Sequence, residues 1–199
     1  MKKVYILICA ILMVLLIGCN NITVSTGGTN EFDKIKKYNT DDAAKVLDEI
    51  KSELQLIPQK YNTDDAAQGD YFVILNEKVT SKIEIIDKFI SDCQSQTPTT
   101  LTIVRYSTKY GTTRNPIIIK ILYNGFKYYA IEDDTRITNS NTDYHEFAFK
   151  YLKVFEENNH KTYVLVNDKK INYSQYIKSL VSSNSKDAID HQVLCDYNN

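Results

Sequence analysis

The period of the apolar positions changes several times along the chain, and each change marks an element. Ala43, Val46, Leu47, Ile50, Leu54 and Ile57 recur at helical spacing, with Thr40 as the expected N-cap and Asp41 and Asp42 at the positive end of the helix dipole. Pro58 ends that helix. Tyr71 to Val79 reads as a strand, and Ser81-Lys82-Ile83-Glu84 as a capping box opening a second helix on Ile86, Phe89, Ile90 and Cys93. Thr100 to Ser107 is β-branched and alternating. Asn124-Gly125 lies between two apolar runs and predicts a two-residue type I′ turn, pairing Tyr123 with Phe126, Ile121 with Tyr128 and Ile119 with Ala130. On that reading Ile118, Leu122, Tyr129 and Ile131 line the opposite face, and both faces are covered. Phe147, Phe149, Tyr151 and Phe155 alternate as one strand, Glu156 to His160 turn the chain, and Lys161 to Val166 return. Asn172 to Gln175 caps a short helix expected to face inward through Tyr173, Ile177, Leu180 and Val181. Gln192 to Tyr197 is a last strand. The order predicts an α+β fold, a mostly antiparallel sheet with helices packed on it.

The first residues follow neither period. Lys2 and Lys3 precede an apolar run from Val4 to Ile17, too short for a spanning helix and laid out as a secretory signal. Leu16-Ile17-Gly18-Cys19 looks like a bacterial lipobox, in which the Cys is diacylated and becomes the new N-terminus. Residues 1–18 are therefore read as a lipoprotein signal peptide and 19–36 as lipidated Cys19 with a flexible stalk. The N-terminal helix occupies 37–62 and an α+β domain 63–199. Two acyl chains suffice for stable attachment. The expected address is the extracytoplasmic face of a bacterial membrane, reached through a diacylglyceryl anchor on Cys19.

Setting the leader aside changes the composition. The chain is 43% hydrophobic with a net charge of −1, and the leader holds a disproportionate share of the apolar residues and two of the lysines. The remainder is polar and more acidic, with no block of like charge, which excludes a nucleic-acid footprint. Of the cysteines, Cys93 and Cys195 remain, a candidate disulfide or a pair of buried thiols.

The octamer Lys37-Tyr38-Asn39-Thr40-Asp41-Asp42-Ala43-Ala44 recurs as Lys60 to Ala67. Two copies make no solenoid, and Gly69-Asp70 follows the second copy, which therefore reads as a short helical turn. The stretch from Thr63 to about Arg136 resembles a family of small Gram-positive lipoproteins, domain of unknown function 4362. The likeness rests on Asp65 to Asp70, Lys88-Phe89-Ile90, Ile103 to Thr108, Asn115-Pro116-Ile117, Leu122 to Gly125 and Asp134-Thr135-Arg136. Family members usually read Glu-Gly-Asp-Pro-Ile where this chain has Arg114-Asn115-Pro116-Ile117, and an Asp where Ile137 stands. The resemblance implies a lipoprotein address and brings no activity.

No nucleophile elbow, phosphate loop or paired Cys-x-x-Cys is present, no metal or cofactor is expected, and the catalytic residues of any enzyme are unknown. Asp143 and His145 form a weak ligand pair beside a solvated turn. Glu132-Asp133-Asp134-Thr135-Arg136 is either a polar site or a solvated strand end. The three arginines, Arg105, Arg114 and Arg136, fall in the strand-rich middle, where Arg suits fixed pairing. An internal Arg–carboxylate network outweighs a shared anion pocket. The tyrosines Tyr106, Tyr110, Tyr123, Tyr128 and Tyr129 suit a binding face or a half-buried sheet. The reading is a non-catalytic module for a protein or small molecule, using the sheet face or the loops around Gly111 and Asp134, with Arg105, Arg114, Asp134 and Arg136 as candidate contacts. Its rival is an envelope hydrolase using Glu132, Asp133 and Asp134 with a nearby His.

Overall fold

A computed structural model describes residues 43–138 and 144–198. The leader, Cys19, the stalk, Thr40 to Asp42 and Asp143 lie outside the described residues. Among these residues the fold is α+β, with five helices and a nine-stranded, mostly antiparallel sheet in the order β8 (Tyr144–Phe149), β7 (Tyr128–Asp133), β6 (Ile117–Tyr123), β3 (Thr99–Tyr106), β1 (Phe72–Leu75), β2 (Lys78–Val79), β11 (His191–Asn198), β10 (His160–Val166) and β9 (Tyr151–Glu157), and a separate hairpin of β4 (Thr108–Lys109) and β5 (Thr112–Thr113).

Helix α1 (Ala43–Gln55) buries Val46, Ile50 and Leu54, four residues apart on one stripe. Its end tightens through Leu56 N–H to Glu53 and Ile57 N–H to Leu54 before Pro58. Helix α2 (Thr63–Gln68) begins inside the second octamer and runs one residue past it. Its cap is Asn62, one residue before the Thr equivalent to Thr40, and the Asn62 side chain accepts from Asp65 N–H at 2.8 Å.

The run expected as one strand from Tyr71 to Val79 is a hairpin. Strand β1 (Phe72–Leu75) turns at Asn76-Glu77, both at positive φ, into β2 (Lys78–Val79). The Asn76 side chain holds the corner by accepting from Thr108 N–H and donating to the Thr108 hydroxyl. The expected capping box at Ser81 is not formed either: the Ser81 hydroxyl accepts from Val73 N–H at 2.9 Å, which takes it from the helix. Helix α3 (Glu84–Gln94) starts without a side-chain cap and buries Ile86, Phe89 and Cys93. As the crossover between β1 and β3 (Thr99–Tyr106), it makes those two strands parallel.

Strands β6 (Ile117–Tyr123) and β7 (Tyr128–Asp133) form the central hairpin, but their register differs from expectation by two residues. Tyr123 pairs with Tyr128 and Ile121 with Ala130. The Asn124 side chain accepts from both Phe126 and Lys127 N–H, building a four-residue loop in which Gly125 sits at φ +95° and Phe126 is exposed. A slip of two keeps every residue on its face. Ile119, Ile121, Tyr123, Tyr128 and Ala130 therefore enter one core, and Ile118, Leu122, Tyr129 and Ile131 the other.

The alternating run Phe147 to Phe155 is two strands. β8 (Tyr144–Phe149) pairs with β7, β9 (Tyr151–Glu157) pairs with β10 (His160–Val166), and Lys150 alone separates them. They are the two edges of the sheet, so the edges meet at that corner. A second contact demands the same curl. Gln192 on β11 (His191–Asn198) lies five strand steps from β7, roughly 24 Å in a flat sheet at ~4.8 Å per step. Yet its side chain donates to Glu132 on β7 at 3.0 Å. The sheet closes around α3, and its inner surface is the main core, with Phe72, Phe89, Ile103, Leu165 and Tyr197 in it. A bulge between Tyr163 and Val164 places Leu194 and Cys195 successively on that inner side.

The outer surface has two covers. Helices α1 and α2 bury Val104, Ile118, Leu122 and Tyr129 on one half. On the other, α5 (Tyr173–Val181), held by the expected capping box between Asn172 and Gln175, packs on Phe155, Val164 and Val166. The face of α5 differs from expectation. Tyr176 is the buried residue, stacked on Phe155 at 5.3 Å and edge-on to His191, with Tyr173 beside it. That packing turns Ile177, Leu180 and Val181 to the surface. Cys93 and Cys195 are free thiols, both buried in the inner core, so the candidate disulfide is not formed. Burial pushes Cys93 up to about 12 and Cys195 higher still.

Candidate functional site

Strand β3 ends at Tyr106 on the outer face, and its hydroxyl is shared between the carbonyls of Tyr61 and Asn62, each at 2.9 Å. This bond ties the α1–α2 connection to the sheet. Burial raises the Tyr106 hydroxyl well above the ordinary tyrosine range. Beyond it, β4 (Thr108–Lys109) and β5 (Thr112–Thr113) form a hairpin around Tyr110-Gly111, at φ +53° and +77°. Both turn residues at positive φ is the type I′ signature, which glycine satisfies without cost. The turn leaves Tyr110 94% exposed, with the Lys109 ammonium 5.3 Å from its ring centroid.

The hairpin is pinned at its base on both sides. Thr108 N–H donates to Asn76, and Arg114 N–H donates to the Ser107 carbonyl at 2.8 Å. Asn115 donates to the Arg136 carbonyl at 2.9 Å. Between this base and the α1–α2 connection lies a cleft of about 280 Å³, with Lys60 to Thr63 on one side, Thr113 to Asn115 on the other and Tyr106 between them. Lys60 and Arg114 are its charged lining residues, and among the described residues neither side chain has an ion-pair or hydrogen-bond partner. The nearby Asp65 carboxylate is engaged by the Asn62 amide at 2.6 Å.

The structure separates the other candidate contacts. Arg105 points inward and pairs with Glu132 at 3.0 Å, the same oxygen that accepts from Gln192. Arg136 is 3% exposed and pairs with Asp133, which is fully buried. Its remaining donors reach the carbonyls of Leu54, Ile57 and Pro58 at the end of α1. Asp133 also accepts from Thr135 N–H and hydroxyl, opening the short helix α4 (Thr135–Thr138). Two of the arginines thus form internal networks, and no shared arginine pocket exists. The sheet tyrosines Tyr106, Tyr123, Tyr128 and Tyr129 are all buried, so these four present no binding face.

For the hydrolase reading, His145 Nε2 stands 3.8 Å from Asp134, beyond hydrogen-bond reach, while Glu132 and Asp133 are already paired. His160 lies 3.7 Å from Asp196 at the far end of the β10–β11 ladder, and His191 Nδ1 is 2.7 Å from the Ile189 carbonyl. Among the described residues no three His, Cys, Asp or Glu converge on a metal position, and no helix is long and apolar enough to cross a membrane.

Two other concavities are larger. One of about 550 Å³ lies between α5 and the Ser185–Asp187 turn, where Lys178 pairs with Asp187 at 2.7 Å and Asn167 donates to Asp190. Hydrogen bonds from Lys178 and Ser182 hold the Asp187 carboxyl below its usual range. Another of about 450 Å³ runs beside α1, where Lys120 pairs with Glu53. Lys178 and Lys120 are paired within them and carboxylates line both, whereas no carboxylate lines the smaller cleft.

Sequence reasoning marked Arg114 and the loop at Gly111 and missed Lys60 and Tyr106 as their neighbours. No local pattern encodes that proximity, because it arises from the Tyr106 hydroxyl reaching a connection more than forty positions earlier. The chain matches no protein-family model, no curated protein and no solved structure.

Proposed function

We propose that the protein is a membrane-anchored extracytoplasmic lipoprotein whose folded domain is a non-catalytic binding module, working through the β4–β5 hairpin and the cleft at its base. The address rests on the leader and on Cys19 at the end of its lipobox. The binding reading is carried by one observation: a fully presented Tyr110 stands on a two-residue turn at the tip of a hairpin whose base lines a cleft with two cations that have no partners among the described residues. Tyr offers large contact area at low entropic cost, and a pinned hairpin loses little freedom on binding. Of the acidic cluster, by contrast, Glu132 and Asp133 are spent on Arg105 and Arg136.

Cys19→Ala should move the protein from the membrane fraction to the soluble fraction; retention would refute the anchor. For binding, melting temperatures of the full-length protein are compared across small molecules and soluble polymers extracted from a bacterial envelope. A shift that Tyr110→Ser abolishes without changing the unliganded melting temperature supports the reading. Equal shifts in both proteins would overturn the hairpin's role. The hydrolase reading retains the Asp134–His145 pair, and a hydrolytic activity lost in His145→Ala would favour it.

A further inference from the structure

The cleft beneath the hairpin has a charge that the protein leaves unanswered. Lys60 and Arg114 line it together, no carboxylate lines it, and neither cation has a partner among the described residues. The other two concavities carry carboxylates beside their cations: Asp168, Asp187 and Asp190 line the one with Lys178 and Lys186, and Glu53 lines the one with Lys120. Lys178 has Asp187, Lys120 has Glu53, and the inward Arg105 has Glu132. Two like charges facing one small space repel each other unless an anion enters.

The backbone that carries these cations is pinned on both walls. Arg114 sits between two fixed points, its own amide on Ser107 and the Asn115 side chain on Arg136. Lys60 directly precedes Tyr61 and Asn62, the two residues whose carbonyls Tyr106 holds. Thr63 and Thr113 add hydroxyl groups from opposite walls. A planar guanidinium with five donors, a mobile ammonium and neighbouring hydroxyls suit a tetrahedral oxyanion. Two positive charges match the dianion of a phosphate monoester better than a single carboxylate. At about 280 Å³ the cleft accommodates a phosphate with a small polar substituent and little more.

We propose that the cleft between Lys60 and Arg114 is a binding site for a phosphate-bearing ligand. This rests on the reading of the domain as a binding module and names the chemistry that its site takes. The phosphate belongs to a soluble ester or to a lipid headgroup, and both present the same group to the two cations.

The test uses full-length protein in a non-ionic detergent, with calorimetric titration of inorganic phosphate, glycerol phosphate and sodium acetate. Flotation with vesicles of phosphatidylglycerol or phosphatidylcholine forms a second arm, scored for the Cys19→Ala protein. The expected result is saturable binding of glycerol phosphate, weakened about tenfold by Lys60→Gln or Arg114→Gln alone and abolished in the double variant. Added salt should weaken it further. Both residues are exposed, so the variants should retain the wild-type melting temperature, which is checked first. Flotation only with phosphatidylglycerol, lost in the double variant, assigns the lipid headgroup; titration without flotation assigns a soluble ester. No binding of either phosphate compound and no flotation, binding indifferent to both substitutions, or acetate binding as tightly as glycerol phosphate would each overturn the proposal. If phosphate fails while envelope extracts still shift wild type and not Tyr110→Ser, the anion assignment falls and the binding module stands. If both fail, both fall.

Discussion

Replacing Arg136 with Met should bring the domain close to unfolding although no ligand or catalytic role is lost. The guanidinium is 3% exposed and its ion-pair partner Asp133 is fully buried. Removing it leaves a carboxylate in the interior without a cation, which costs about 3–5 kcal/mol. The carbonyls of Leu54, Ile57 and Pro58 lose their donor at the end of α1, at about 1 kcal/mol for each that water does not reach. Domains of this size have about 5–15 kcal/mol in total. Met fills the volume of the side chain with little strain, so the loss reports the polar network and not a cavity. Asp133→Asn in the same chain removes the abandoned charge while its amide oxygen still accepts from Thr135, so Asp133→Asn/Arg136→Met should recover a good part of the loss. Urea unfolding, followed by far-ultraviolet circular dichroism, gives the free energies of wild type, both single variants and the double. A loss below about 1 kcal/mol in Arg136→Met, or a double variant as unstable as the sum of its singles, would refute the argument.

Alkaline conditions should destabilise the fold from about pH 9 upward. Cys93 is raised from 9.0 to about 12, and Cys195, Tyr106, Tyr128 and Tyr163 are also raised, all chiefly by burial. The unfolded chain loses these protons first, so folding is opposed by up to about 1.4 kcal/mol per pH unit for each group. Urea midpoints measured from pH 7 to 11 should be flat and then fall, less steeply between 9 and 10 in Cys93→Ala; a flat profile to pH 10.5 would contradict the burial. At pH 8 without reductant, iodoacetamide should leave Cys93 and Cys195 largely unmodified in the folded protein and label both in urea. Peptide mass mapping reads this, and a linked Cys93–Cys195 peptide would show that the thiols are oxidised.

The central hairpin shows what the sequence can carry. Alternation has a period of two, so the faces of β6 and β7 were legible even though their register was displaced, because the displacement was itself two residues. The turn was not legible. Asn124-Gly125 carries the usual type I′ pair, yet the Asn124 side chain captures two amides and lengthens the loop. Meanwhile Asn76-Glu77, Tyr110-Gly111 and Asn158-Asn159 adopt positive φ at both positions. Lys150 was equally hidden, because the aromatic alternation reads as continuous although the break inverts its phase: Phe147 and Phe149 face the inner core, whereas Phe155 faces outward and Leu152 inward. Helix α5 failed for a different reason. Its aliphatic stripe is a legitimate apolar face, but Phe155 offers an aromatic surface that Tyr173 and Tyr176 match better. At the candidate cleft, residue types pointed to Arg114 and Gly111, while Lys60 is brought there by tertiary structure alone.

The position of β11 sets an order of events. It is the last of the described strands in the chain, yet it stands between β2 and β10 and joins the two halves of the sheet. Its link to β2 is the single pairing of Asn198 with Lys78, strengthened by Asn198 N–H to the Glu77 carbonyl. A chain made from its N-terminus therefore cannot close the curl until His191 to Asn198 have emerged. Until then the inner faces of β3 and β6 lack the Leu194, Cys195 and Tyr197 side chains that complete their core. Closure of such a sheet is a late, long-range step with a high entropic threshold. For a protein proposed to lie on the extracytoplasmic face of a membrane, such a delay would keep the chain open and threadable during its passage.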